Sequence, residues 1–197
     1  MNKIIDGLKE FKPLHEIAVP NTTGFYAFYT IRDNCFEETQ LNNIKQFDCI
    51  YVGIAEDETL YERIMHSHLK SAGKSTFRRS LGAILRTKLD LLPLMRGVTP
   101  TKSNISNYKF SNADEQKLTA FMRNNLRIAY FPYTEAGKNM ESIEKEIIKK
   151  FGYPAFNLSH VNKNDNPYFQ AIKLARQNCK NEVITKVDLA NNMEGIK

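Results

Sequence analysis

The sequence predicts an α+β fold: a small, mostly antiparallel three-stranded sheet flanked by helices. Three observations predict it. Two strand-like stretches, 23–30 and 48–52, are joined by a polar loop with no helical pattern, which favours an antiparallel pair. A third strand-like stretch, LRIAYFPY, comes only after a run of helical segments. Strands and helices are therefore partly segregated instead of alternating as in a doubly wound sheet.

The elements follow in order. Residues 1–20 read as a helix and a loop carrying Pro13 and Pro20. TGFYAFYT alternates aromatic and small residues between turn formers and reads as a strand. Residues 31–47 form a polar excursion, and DCIYV is a second strand stopped by Gly53. Residues 58–70 carry Leu60, Ile64 and Leu69 at roughly helical spacing, and Gly73 ends that helix. Ser75 is a good N-cap for STFRRSLGAILRTKLDLL, whose apolar positions Phe77, Leu81, Ile84, Leu85, Leu89 and Leu92 repeat near 3.6. Residues 93–110 hold two prolines and many Ser, Thr and Asn, so they read as a loop. Asn112 and Glu115 resemble a capping box opening ADEQKLTAFMRNN. The helix MESIEKEIIKKF presents Ile143, Ile147 and Phe151 on one face; Gly152 ends it and Pro154 blocks re-entry. A last helix over roughly 167–179 gives way to a polar tail.

The chain has 197 residues, 42% of them hydrophobic and 25% charged, which suits one domain with a self-sufficient core. The expected organisation is a helical extension over 1–20, a main domain over 21–180 and a polar tail over 181–197. Apolar runs are far shorter than the roughly 18–20 residues of a membrane span, and the N-terminus lacks a secretory pattern. Cys35, Cys49 and Cys179 are scattered, odd in number and without a CxxC, which argues against structural zinc and for a reduced, cytoplasmic protein. No GxxxxGK[ST] or GxSxG is found, so nucleotide hydrolysis through a phosphate loop and serine hydrolase chemistry are set aside.

The net charge of +6 permits a polyanion partner without requiring one. Its distribution is more informative. Lys70, Lys74, Arg78, Arg79, Arg86 and Lys88 fall in a stretch with no acid, while acids gather at 56–62 and 141–146. Such a separation suits a metal-dependent enzyme acting on a phosphate backbone; the plainer alternative is a solvated helix face.

Gly24-Phe25-Tyr26 opens the first strand and Tyr51-Val52-Gly53 closes the second; Arg63 and His68 follow on a helix, Glu144 on a later one, and Asn157 lies just past Pro154. This order resembles the GIY-YIG nuclease family. Phe25 replaces the usual Ile or Val of the first motif. Arg63 lies twelve residues after Tyr51, where the family spacing is about ten. Glu144, followed by Ile147 and Ile148, matches the third part, and Pro154 with Asn157 the last. YVGIA, SHL, STFRRSLGA, LTAFMRNNLRIAYF and FNLSH look like one bacterial branch of the family, and the likeness covers about 22–180. The family histidine lies four residues after the arginine; here His66 is at three and His68 at five, and the Leu69 that follows favours His68.

The resemblance implies a metal-dependent endonuclease on DNA, with Tyr26 as general base, Tyr51 placing the water or phosphate, and Asn157 supporting the site. A free tyrosine, with a pKa near 10, is a poor base, but beside a cation or metal-bound water its phenol becomes more acidic. Tyr26 and Tyr51 lie on neighbouring strands, so both rings could face one pocket; cross-strand packing is the alternative. Arg63 offers a planar fork for two phosphate oxygens, and His68 a proton acceptor. Glu144 is the expected ligand for Mg²⁺ or Mn²⁺, a single carboxylate completed by waters and substrate phosphate, with Glu141 a backup at i,i+3.

For DNA contact, Ser75, Thr76, Arg78 and Arg79 open a helix whose N-terminus suits a phosphate, with Lys70 and Lys74 adding to the clamp. Arg123, Arg127 and the last helix are further candidates. Nothing resembles a base-reading device, and a homodimer or partner protein for target choice stays open. The competing function is a catalytically inactive nucleic-acid-binding module on the same fold.

Overall fold

A computed structural model of the protein describes residues 1–135 and 139–194. Its elements are α1 (Asn2–Gly7), β1 (Lys12–Pro13), β2 (Gly24–Thr30), β3 (Cys49–Ala55), a π-helix (Glu62–His68), α2 (Thr76–Ile84), α3 (Arg86–Leu89), β4 (Pro93–Leu94), α4 (Lys102–Ser106), β5 (Lys109–Phe110), α5 (Asn112–Asn125), β6 (Leu126–Pro132), α6 (Met140–Lys150) and α7 (Phe169–Glu194).

The main sheet is antiparallel in the order β1-β6-β2-β3. It has four strands, one more than expected, because Lys12 and Pro13 pair with β6. All seven residues of β2 are buried, which follows from its central place and its mix of aromatic and small side chains. One face of the sheet carries Tyr26 and Phe28 into a core shared with α2, α5 and α7; the other carries Phe25, Ala27 and Tyr29 against α1 and α6. β3 does not stop at Gly53 but continues to Ala55, because Gly53 pairs with Tyr26 instead of turning the chain.

Helix ends match local chemistry. The Ser75 side chain accepts from Arg78 N at 3.0 Å, capping α2. Gly152, at φ +70°, follows α6, as a left-handed stop requires. The helix expected after Ser75 is broken at Leu85 into α2 and α3. The cap of α5 is Ser111, one residue earlier than expected, and Glu115 turns inward to accept from the backbone N–H groups of Ala72 and Phe110. Within 93–110, expected as loop, Pro93–Leu94 and Lys109–Phe110 pair as a small second sheet around α4.

The last helix runs well past 179, to Glu194, through most of the stretch expected as a polar tail. Ile172, Cys179 and Val183 are buried, Val187 packs against the same core, and Glu182 pairs with Arg86 and Lys186. A sparse apolar stripe and ion pairs to neighbours keep these residues helical.

Candidate active site

Tyr26 lies mid-way along β2 opposite Gly53. A Cβ at Gly53 would run into the Tyr26 hydroxyl and ring, so only glycine allows the phenol to cross β3 at this distance. The pairing of β2 with β3 slips between Phe28 and Tyr29, leaving Ile50 without a partner. This irregularity lets Ile50 and Tyr51 both join the core that holds Tyr26. The Tyr51 ring stacks on Phe77 at 4.5 Å and lies 6.1 Å from that of Tyr26.

The Tyr26 hydroxyl is buried, 2.6 Å from His68 Nε2, and accepts from Arg63 Nε at 3.3 Å. Arg63 and His68 are five residues apart, which in a regular α-helix would set them roughly 140° apart. The π-helix removes that offset. Leu69 N donates to Ile64 O at 3.0 Å, an i→i−5 bond that widens the turn and brings both side chains to one phenol. His66 is exposed, with its ring against Tyr61. The structure thus places His68, not His66, beside Tyr26.

On its other side His68 meets Ser75: Nδ1 and Ser75 Oγ are 2.6 Å apart. Burial, with Arg63 and Arg78 nearby, holds the His68 pKa well below its ordinary value, so the ring is neutral. Burial, reinforced by Tyr51, pushes the Tyr26 phenol well above its ordinary value, and Arg63 only partly offsets this. Tyr51 is raised by burial and by Glu144.

Glu144 projects from α6 into the same region. Its carboxyl makes no hydrogen bond or ion pair with the described residues, and burial pushes its pKa up to about 7, with Arg63 opposing and Glu141 and Glu56 adding to the rise. Asn157 is buried and clamps β3: its Oδ1 accepts from Val52 N and its Nδ2 donates to Val52 O, both at 2.8 Å. Tyr51, Arg63, Glu144 and Asn157 line one cleft of about 330 Å³, with Tyr26 bonded behind Arg63. Thr76, His160, Lys173 and Arg176 also line it.

A half-buried carboxyl without a partner fits a divalent cation better than it fits solvent. Among the described residues no group of three or more His, Cys, Asp and Glu gathers, so Glu144 would need waters and substrate oxygens to complete a shell. Glu141 is exposed and paired with Lys145 at 2.8 Å.

The expected DNA clamp at the start of α2 is largely internal. Arg78 is fully buried: Nε donates to Glu115 Oε2 at 2.7 Å, Nη1 to His68 O at 3.0 Å, and Nη2 to Glu115 O and Thr119 Oγ1. It ties α2, α5 and the end of the π-helix together and has no reach to a phosphate outside. Arg79 is buried too, donating to Ala72 O at 2.7 Å, and the Ser75 hydroxyl is spent on the cap and on His68. Lys70, Lys74 and Thr76 are exposed, and only Thr76 lines the cleft.

Four contributions to the site were not assigned from the sequence. Ser75 faces His68, which its capping pattern does not reveal. Asn166 donates to Ala155 O at 2.9 Å and Asn157 O at 3.1 Å and so holds the loop that carries Asn157; the Asn-Pro pair at 166–167 was its one signal. Lys173 and Arg176 reach the cleft from α7, the last helix, a candidate for DNA contact for which the sequence singled out no residue.

Among the described residues no helix is long and apolar enough to cross a membrane. No match was found among curated proteins or among solved structures. The family model of the GIY-YIG catalytic domain matches residues 24–178, from the first residue of β2 to within α7. The match spans most of the chain and takes in every residue that lines the cleft; the chain belongs to the GIY-YIG family of nuclease domains.

Proposed function

We propose that the protein is a metal-dependent endonuclease that hydrolyses phosphodiester bonds in DNA. The observation that carries this reading is the convergence of Tyr51, Arg63 and Glu144 on one cleft with Tyr26 hydrogen-bonded to Arg63 and His68 at its edge.

Tyr26 does not act as a free phenolate, since burial keeps it protonated. It acts as a relay. Neutral His68, with its Nδ1–H directed at Ser75 Oγ, leaves Nε2 open to accept the phenol proton as Tyr26 takes one from the attacking water. Ser75, fixed by its bond from Arg78 N, sets the ring orientation. Arg63 binds the phosphate and adds positive charge beside Tyr26, and a bound phosphate would offset the cations around His68. Tyr51 orients the water or the phosphate. Glu144 would hold Mg²⁺ or Mn²⁺, which when bound supplies charge stabilisation at the phosphoryl oxygens. Asn157 holds β3, and with it Tyr51 and Gly53, in place.

Plasmid cleavage in Mg²⁺ tests this. Wild type is expected to cut, and EDTA to stop it. Glu144→Ala and Tyr26→Phe are each expected to lose at least about 100-fold in rate. If wild type and both variants cut alike, these roles are wrong. Wild type that binds DNA without EDTA-sensitive cutting is a binding module.

A further inference from the structure

A second cavity of about 500 Å³ opens between α4 and α7. Its lining includes Lys173, Arg176 and Lys180 of α7, Ser106, Tyr108 and Gln170, and no carboxylate. Lys173 and Arg176 also line the cleft of the candidate active site, so one ridge of α7 separates the two openings.

Two buried polar groups, one lining this cavity and one beside it, are poorly partnered. Tyr108, 1% exposed, lines the cavity, and its hydroxyl has no partner beyond the weakly bonding Cys179 thiol beside it. Arg79, 3% exposed, has an unpartnered Nε. Buried polar groups are nearly always satisfied, so this poor partnering needs an explanation. The electrostatics agree. Burial, with Arg176 and Arg96 nearby, pulls the Arg79 pKa down to about 10. Cations gather here without a compensating acid: among the described residues, Lys173, Arg176 and Lys180 have no ion-pair partner, and Lys173 sits over the Phe169 ring at 5.0 Å.

We propose that this cavity and the ridge of Lys173, Arg176 and Lys180 form a phosphate-binding track for the DNA backbone next to the scissile phosphate. The proposal rests on the nuclease reading above. The three side chains recur at i, i+3 and i+7 and span about 10 Å of helix, comparable to the rise of about three phosphates of one strand. Phosphates threaded along this ridge would enter the catalytic cleft past Arg176. The track replaces the clamp expected at Arg78 and Arg79, which are internal.

The test is binding of a fluorescently labelled DNA duplex in EDTA across a salt series, with cleavage in Mg²⁺ measured in parallel. Lys173→Ala/Lys180→Ala is expected to flatten the slope of log affinity against log salt by about 2, while the exposed pair Lys3→Ala/Lys9→Ala, on and just after α1, leaves it unchanged. Tyr108→Phe deletes only the hydroxyl; it is expected to weaken binding severalfold without lowering the melting temperature. If wild type binds and cleaves but the α7 double variant keeps the wild-type slope, the track is overturned and the nuclease reading stands. If wild type neither binds nor cleaves, both fall. Inorganic phosphate is the third arm. A variant-sensitive thermal shift with phosphate, with DNA binding unchanged in the variants, would make this a free-phosphate site and overturn the track.

Discussion

Glu144 shows how one side chain can carry opposing demands. Its carboxyl is half-buried and unpaired among the described residues, and its pKa in the folded chain is raised to about 7 from an ordinary 4.5. The folded state therefore holds a proton that the unfolded chain gives up between those values. The stability this supplies is complete below about pH 4.5 and is lost as pH rises through about 7. At pH 8 the ionised group strains the fold, and Glu144→Gln is expected to be more stable than wild type by on the order of 1–2 kcal/mol, less than the full shift because water reaches the cleft. Thermal denaturation at pH 8 checks this. Millimolar Mg²⁺ should raise the melting temperature of wild type and leave that of Glu144→Gln unmoved; an equal rise in both would remove Glu144 as the ligand.

At the scale of the element, the π-helix is the feature on which the site turns. It has the character of an α-helix with one residue added between Arg63 and His68, the strain being accepted where the two side chains must converge. Deleting exposed His66 should restore a four-residue spacing on an ordinary α-helix and keep Arg63 and His68 on one side. The deletion variant is expected to cleave within about 10-fold of wild type, whereas His68→Ala should lose at least about 100-fold. A deletion variant as inactive as His68→Ala would show that the wide turn does more than set the spacing. The apolar repeat of 58–70 gave no hint of this geometry, because one extra residue leaves Leu60, Ile64 and Leu69 near a helical period. Ser75 and Gly152, whose partners lie within a turn of them, were legible from local pattern alone.

Across the whole molecule, legibility fell with the sequence distance of the partner. The three long strands β2, β3 and β6, the order of the motif residues and the structural part of Asn157 were readable, because alternation and motif spacing are written along the chain. Arg78 and Arg79 were not: as charges in a basic run they read as solvent-facing. What buries Arg78 is Glu115, 37 residues on, at 2.7 Å. Breaking such a buried pair costs about 3–5 kcal/mol. The tail misled for a similar reason, since its sparse stripe makes sense only once α2 is there to cover it.

Buried His68 sets how the whole fold responds to acid. Its folded pKa is depressed by burial and by Arg63 and Arg78, so below about pH 6.5 the unfolded chain takes up a proton that the folded chain refuses. Its contribution is full above pH 6.5 and is lost as pH falls toward the folded value, at up to about 1.4 kcal/mol per pH unit. Glu144 works in the opposite sense between about 4.5 and 7 and masks part of the loss. Urea denaturation from pH 7.5 to 5 should therefore show a steeper acid decline in Glu144→Gln than in wild type. Parallel curves would mean that the two groups do not titrate as assigned.

The clamp of Asn157 on Val52 has a consequence for assembly. Together with the bond from Phe156 N to Ile50 O at 2.9 Å, it occupies the outward rail of β3, and the opposite border of the sheet is a two-residue strand ending in proline. The β3 margin therefore offers little open backbone on which another chain could extend the sheet. Two copies of the chain would not join into one continuous sheet through β3.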